Sequence, residues 1–246
     1  QTFMEPLLFK TACSRGAQAR MSCEYVSHVQ DKDGVTVTCN DRLTKKQFTV
    51  RAKYLIGADG GNSLVAEHAG LPFDGKMGVG GSINIQIKAD LSKFVAHRPS
   101  VLYWVMQPGA DVGGIGMGVV RMVRPWNEWL IIWGYDINQP PPEISDEFAK
   151  SVCHRLIGDS SVPIEVIGTS TWTVNNMYAT NMQKDRVFII GDAAHRHPPS
   201  NGLGSNTSIQ DAFNLAWKMA MVLKGKATSK LLETFSQERA PIAKQI

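Results

Sequence analysis

Two apolar runs in this chain end in a glycine and a carboxylate. One is Val187-Phe188-Ile189-Ile190-Gly191-Asp192, and the other is Tyr54-Leu55-Ile56-Gly57-Ala58-Asp59-Gly60. A short, wholly apolar run of this kind reads as a buried parallel strand, and ligands of open α/β sheets bind beyond the carboxyl ends of such strands. A carboxylate delivered there can accept hydrogen bonds from the hydroxyls of a sugar or a polyol chain. Asp192 is followed by His195, His197, Pro198 and Pro199, and then by the turn Asn201-Gly202-Leu203-Gly204-Ser205-Asn206, which opens a long helix. Glycines let backbone approach a ligand, and a helix start favours negative charge. Two such strand ends point to a nucleotide-type cofactor gripped from two sides.

The elements that must position these groups follow from periodicity and punctuation. Residues 1–20 read as a helix with Phe3, Leu7, Leu8 and Ala12 on one face, ending near Arg15-Gly16. Strands Cys23–Val29 and Val35–Thr38 flank the hairpin signal Asp31-Lys32-Asp33-Gly34, and Asn40-Asp41 supplies the next turn. Residues 62–70 are predicted helical, with Gly70 as the C-cap and Pro72 as the stop. Alternating runs at Ile83–Ile87, Val101–Met106, Ile115–Val123 and Trp129–Tyr135 suit an antiparallel sheet. Their turns fall at Gln107-Pro108-Gly109 and Pro125-Trp126-Asn127. Ser145–Ile157 reads as a helix and Ile164–Trp172 as a returning strand. After the 201–206 turn, Ile209, Ala212, Phe213, Ala216, Trp217 and Ala220 recur at helical spacing as one apolar face.

Composition narrows the function classes. The chain has 246 residues, 43% hydrophobic and 20% charged, with a net charge of +4. That charge is too small and too scattered for a nucleic-acid partner; Lys45-Lys46 and Arg51/Lys53 read as the solvated side of a hairpin. No apolar run approaches the roughly 20 residues of a membrane-spanning helix, so no membrane partner is expected. Four cysteines without Cys-x-x-Cys spacing (Cys13, Cys23, Cys39 and Cys153) suit free thiols in a cytoplasmic protein. The His-x-His pair lies in a proline-bearing loop with no third ligand evident, so loop positioning is expected there rather than metal. No Gly-x-Gly-x-x-Gly fingerprint occurs. The nearest run, Gly113–Gly118, has the wrong spacing and reads as strand glycines.

The stretches Ala58-Asp59-Gly60-Gly61-Asn62-Ser63 and Gly191-Asp192-Ala193-Ala194-His195 resemble the Asp-Gly and flavin-ribityl motifs of the flavin-dependent aromatic hydroxylases. Val101–Gly116, Arg121–Asp136 and Asn201–Ile246 resemble their phenol and chlorophenol hydroxylase branch. The likeness covers nearly the whole chain. It implies a mixed α/β fold: a Rossmann-like FAD-binding domain, here incomplete, interleaved with an antiparallel-sheet substrate domain. The expected divisions are 1–75 and 176–246 for the cofactor domain and 76–175 for the substrate domain. Relatives begin with a fingerprint-bearing βαβ unit and continue into a C-terminal domain, so the chain is expected to be an internal fragment.

The resemblance further implies FAD as cofactor, NADPH and O2 as co-substrates, and ortho-hydroxylation of a phenol to a catechol through a flavin hydroperoxide. A homo-oligomer is implied for the intact enzyme. Asp59, Gly60, Gly191, Asp192, Pro199, Gly202, Leu203, Gly204, Ser205 and Asn206 are the implied cofactor contacts, the last four at a helix start suited to the charge of reduced flavin. Pro198 is expected to border the phenol. Tyr103, Trp133 and Tyr135 are candidates for the substrate wall, with Trp104 and Trp172 beside them, although strand aromatics are more often core. Arg121 and Arg124 are further substrate candidates, and the catalytic acid or base is expected outside this chain. The family's Arg after the Asp-Gly motif is replaced here by Val65-Ala66-Glu67. Two alternatives stay open: a flavin hydroxylase for another phenolic ring, and an isolated fragment that binds FAD incompletely and is inactive.

Overall fold

The computed structural model describes residues 4–107, 117–199 and 202–246. Gly113–Gly116, most of the Gln107-Pro108-Gly109 turn, Phe3 and Asn201 lie outside the described residues. The chain divides into two compact units, one of residues 1–72, 179–194 and 207–245, the other of 73–178 and 195–206.

The first unit opens with helix α1 (Met4–Ser14), none of whose residues is buried. A three-stranded meander follows: β1 (Cys23–Gln30), β2 (Val35–Asp41) and β3 (Gln47–Ala52), antiparallel in that order. Its first hairpin closes because Asp31 Oδ1 accepts the backbone N–H groups of Asp33 and Gly34, at 2.8 and 3.1 Å. Asp41 caps the second turn in the same way, through Leu43 and Thr44. The chain then forms β4 (Leu55–Gly57) and helix α2 (Leu64–Ala69). Ser63 Oγ accepts from Ala66 N at the helix start, and Gly70 ends it at φ 62°, a left-handed turn that glycine adopts without strain.

The second unit is built on a six-stranded sheet. Its strands are β5 (Phe73–Lys88), β6 (Leu102–Met106), β7 (Met117–Arg124), β8 (Glu128–Tyr135), β9 (Glu165–Ala179) and a short later strand. Helix α3 (Ser92–Val95) follows β5. Helix α4 (Asp146–Ile157) is capped by Ser145, whose Oγ accepts from Phe148 N, and ended by Gly158 at φ 81°. Strict alternation in β8 places Trp129, Ile131, Trp133 and Tyr135 on one face. That face joins Ile83, Ile85 and Ile87 of β5 and Ala149, Val152, Cys153 and Leu156 of α4 in one core. Gly118 of β7 permits the close approach, since a Cβ there would lie 2.5 Å from Leu156 Cδ1. Burial raises the Cys153 thiol to about 12.

The chain returns to the first unit through β10 (Gln183–Lys184) and β11 (Val187–Ile189), which complete a small sheet in the order β10-β11-β4. Thr180 N donates to Pro72 O at 2.9 Å, so the two ends of the 73–178 segment meet. A 3-10 turn (Gly191–Ala193) leads to β12 (His195–Arg196), which pairs antiparallel with β9 in the six-stranded sheet. The sequence assigned this loop to the cofactor domain. In the compact division 195–206 falls with the six-stranded sheet, to which His195 and Arg196 are paired.

Helix α5 (Gly204–Leu223) and helix α6 (Lys230–Gln245) close the described chain. Among their buried side chains are Leu215, Leu232 and Phe235, the last meeting Phe188 edge-on at 6.1 Å. The apolar stripe of α5 is turned outward, with Ile209, Phe213 and Trp217 exposed at 58, 75 and 45%. Thr207, Asp211, Leu215 and Lys218 form the buried side instead.

Candidate functional site

The site grows from the parallel pairing of β4 with β11. The register sets Leu55 opposite Val187, Ile56 opposite Phe188 and Gly57 opposite Ile189. Ile190 N continues the ladder to Gly57 O at 3.0 Å. The two strands therefore end level, and the chain places Asp59 and Asp192 just beyond that one edge. Val187, Phe188 and Ile189 are fully buried, as expected from the sequence. In β4, by contrast, only Gly57 is buried and Ile56 is 42% exposed, because β4 has no further strand on its other side among the described residues.

Asp59 is tied into its own loop. Its Oδ1 accepts from Ser63 Oγ at 2.6 Å and its Oδ2 from Val65 N at 3.1 Å. The carboxylate thus caps the start of α2, and its remaining lone pairs are what it can offer a ligand. Gly60 beside it adopts φ 80°, with open space where a Cβ would stand. Behind Asp59, Tyr25 Oη bridges His28 Nδ1 at 2.6 Å and His68 Nδ1 at 3.0 Å. The Tyr25 phenol is pushed up to about 12, first by burial and then by the negative charge of Asp59.

Gly191 begins the turn at φ 61°, and a Cβ there would meet Ser208 Oγ at 3.1 Å. Its N–H donates to Asp211 Oδ2 at 3.1 Å, and Arg239 Nε donates to Asp211 Oδ1 at 2.7 Å. Arg239 also reaches Gln210 Oε1 and Thr207 O. Asp211 is 1% exposed and Arg239 8%. A buried pair of opposite charges on α5 and α6 therefore holds the glycine that precedes Asp192, and Asp192 itself is exposed. Sequence reasoning missed Asp211 and Arg239. The available signal was charge complementarity: Asp211 and Lys218 lie on one stripe of α5, matched by Arg239 and Glu238 on α6, and Lys218 Nζ stands 2.7 Å from Glu238 Oε2.

In the second unit, His195 is buried and its ring stacks on His197 at 5.2 Å. Arg196 lies over the Phe73 ring at 5.4 Å. Among the described residues no three His, Cys, Asp or Glu side chains converge on a metal position. Gly202 N donates to Pro199 O at 3.0 Å, and Gly202 adopts φ 62°. Asn206 Nδ2 donates back to Gly202 O at 3.3 Å. Helix α5 begins at Gly204, so Leu203 to Asn206 lie at its positive end. Space is open where a Cβ would stand on Gly202 or Gly204. Pro198 is half-buried and Pro199 exposed.

The aromatic candidates separate by sheet face. The pairing Tyr103↔Val120, Val120↔Ile131 and Ile83↔Trp133 puts Tyr103, Trp133 and Tyr135 together on the side covered by α4. The Tyr103 hydroxyl is consumed locally, donating to Arg98 O and accepting from Ser100 N. The other face carries Trp104, Val119 and Ile132 in register, next to Asn84, whose Oδ1 accepts from Trp172 Nε1 at 3.2 Å. Arg121 pairs across to Leu130 on this face and is exposed, while Arg124 is ion-paired with Glu128.

Comparison with known proteins matches this geometry to a family. The chain is 63% identical, over all its 246 residues, to 2,4-dichlorophenol 6-monooxygenase of Cupriavidus pinatubonensis, of which it covers 41%. It is 52% identical, again over its whole length, to phenol 2-monooxygenase of a Pseudomonas species, of which it covers 39%. Among solved structures, the flavin-dependent monooxygenase PieE in complex with FAD and substrate superposes with a TM-score of 0.89 at 38% identity, covering all of this chain and 42% of that one. The chain thus spans about two fifths of the length of the relatives it matches. The model of the FAD binding domain family matches residues 1–246 from end to end, and the chain belongs to that family.

Proposed function

We propose that this chain forms the flavin-holding and ring-presenting part of an enzyme that ortho-hydroxylates phenols or chlorophenols to catechols with O2 and NADPH. The observation that carries the reading is the level pair of strand ends that places Asp59 and Asp192 on one sheet edge. The whole-chain likeness to two phenol-hydroxylating relatives supports it.

The residues present fit FAD. Asp192 is exposed at the strand edge and can accept from ribityl hydroxyls. Gly60, Gly202 and Gly204 leave open the space that side chains would take, so backbone can lie close to a flat or branched group. Asp59 serves mainly by fixing the 59–63 loop, since both its oxygens already hold α2. FAD, when bound and reduced by NADPH, supplies the chemistry that activates O2 for transfer to the ring. The macrodipole at Leu203–Asn206 stabilises negative charge placed before α5. Pro198 and Pro199 restrict their own backbone at the exit from β12.

For the ring itself, the face bearing Trp104, Val119, Ile132 and Asn84 is the better wall, because α4 packs over the face of Tyr103, Trp133 and Tyr135 and leaves space there only in a cavity at the end of β8. An apolar wall excludes water from the reacting groups. A phenol activated by loss of its proton needs a donor close by; the Asn84 amide nitrogen can donate while its Oδ1 holds Trp172.

The test is NADPH oxidation by the full-length enzyme with and without 2,4-dichlorophenol, with the catechol quantified. Stimulated oxidation with near-equal catechol supports the reading. Stimulated oxidation yielding mainly hydrogen peroxide points to a different phenolic substrate. Failure to retain flavin, together with no stimulation, overturns it.

A further inference from the structure

The second unit contains a cavity of about 390 Å³ between the end of β8, the Pro140–Pro142 loop and α4. Its floor is apolar, formed by Ile83, Trp133, Tyr135 and Val152, with Phe148 at the side. Trp133 is 4% exposed and Tyr135 8%, yet neither the Trp133 indole N–H nor the Tyr135 hydroxyl makes a hydrogen bond among the described residues. Arg155 stands on the rim with its guanidinium 5.9 Å from the Trp133 ring centre, and it has no acidic partner among the described residues. The one carboxylate in the lining, Asp136, is turned to Asn138, whose N and Nδ2 both donate to its Oδ1 at 2.9 Å.

The floor is held in place beforehand. Gly81 is the cross-strand partner of Tyr135, and a Cβ on it would lie 2.5 Å from Tyr135 Cζ. The Tyr135 ring therefore folds over the bare glycine backbone and is pinned there. Beside the apolar floor, the Trp133 indole N–H, the Tyr135 O–H and the Arg155 guanidinium are donors, the Gln139 amide and Ser151 hydroxyl can donate as well as accept, and the Asp136 carboxylate is engaged by Asn138. Such a set selects an anion attached to a flat apolar body.

We propose that this cavity binds a single-ring aromatic anion, an arene carboxylate or a phenolate, at a site separate from the hydroxylation chamber. The ring lies on Trp133 and Tyr135, and the anionic group meets Arg155. The occupant is held on the α4 side of the sheet, away from the Trp104–Ile132 face, so on the reading that the latter face walls the reaction chamber it is not the substrate.

Isothermal titration of the FAD-loaded full-length enzyme with benzoate, and separately with 2,4-dinitrophenolate, tests this. At least one anion is expected to bind saturably, and which one binds identifies the source. Benzamide, the neutral isostere of benzoate, is expected to bind about ten-fold more weakly, as the loss of a charge-assisted hydrogen bond requires. Arg155→Gln is expected to weaken the anion by a similar factor. Ser151→Phe, which fills the mouth from an exposed position on α4, is expected to abolish binding. Binding by neither anion overturns the proposal. So does binding that ignores both substitutions, or that 2,4-dichlorophenol displaces competitively. Flavin absorbance and catechol formation in the same samples report separately on the hydroxylase reading.

Discussion

Gly191 and Asp211 are joined by a 3.1 Å hydrogen bond from the glycine N–H to the buried carboxylate of α5. The glycine begins the turn that carries Asp192, and the carboxylate is neutralised by Arg239 from α6. The exposed Asp192 is therefore set by a buried ion pair behind it. Breaking such a pair by removing one partner costs about 3–5 kcal/mol, because a buried charge is left uncompensated. Arg239→Ala is expected to lower stability by that amount and to reduce FAD retention, measured by urea unfolding and by bound-flavin absorbance. Asp211→Asn keeps an acceptor for Gly191 and is expected to be the milder change for flavin retention.

Gly191→Ala tests the turn itself. The residue sits at φ 61°, where an L side chain costs about 1–2 kcal/mol, and its Cβ would also press on Ser208 Oγ. Loss of stability in that range is expected. Ser208→Gly in the same chain should relieve the contact but leave the backbone cost, so rescue in urea unfolding should be partial. Full rescue would show that the left-handed conformation carries no cost here.

The Tyr25 cluster predicts an acid-sensitive contribution. Burial lowers the His28 pKa from its ordinary value of 6.5, helped by the nearby charges of His68 and Lys184. Because the folded protein favours the neutral ring, this contribution is fully present above 6.5. It is lost as pH falls through the depressed folded value. His28→Asn should therefore flatten the pH dependence of thermal stability below 6.5 while changing little at pH 8, as differential scanning fluorimetry across pH would show.

The outward stripe of α5 predicts tolerance. Ile209→Ser and Phe213→Ser alter side chains that are 58 and 75% exposed. Each is expected to change the stability of the 246-residue chain by no more than about 0.5 kcal/mol, and to reduce binding of an apolar dye. Leu215→Ala, on the buried side, should instead cost about 2–5 kcal/mol.

That contrast shows where the sequence was readable. The C-cap at Gly70 and the turn at Asp31–Gly34 were legible because their signals are local, acting within a few residues. The two strand ends were legible as apolar runs without alternation; burial on both faces holds for Val187–Ile189, but in Leu55–Gly57 only Gly57 is buried and Ile56 is 42% exposed. The α5 periodicity was legible as well, but not which side it buries. Asp211 and Lys218 are buried because partners 28 and 20 residues away, Arg239 and Glu238, neutralise them. Helix α6, which carries those partners and holds Pro241 in its interior, was not foreseen. The face assignment of Tyr103, Trp133 and Tyr135 needed the sheet register, which no single strand contains.

The hydrogen bond from Thr180 N to Pro72 O has a consequence for how such a protein can be rebuilt. A 106-residue stretch, 73–178, leaves the first unit and comes back to within one backbone hydrogen bond of its departure point. Segments of different length or sequence can be grafted between those two feet without moving them, in the way a jewel is changed in a fixed setting. The small strand His195–Arg196 limits that freedom, because any replacement must still offer an edge at the place of Met177 and Tyr178. A transplant from a relative would succeed or fail on that two-residue pairing rather than on the rest of the inserted sheet.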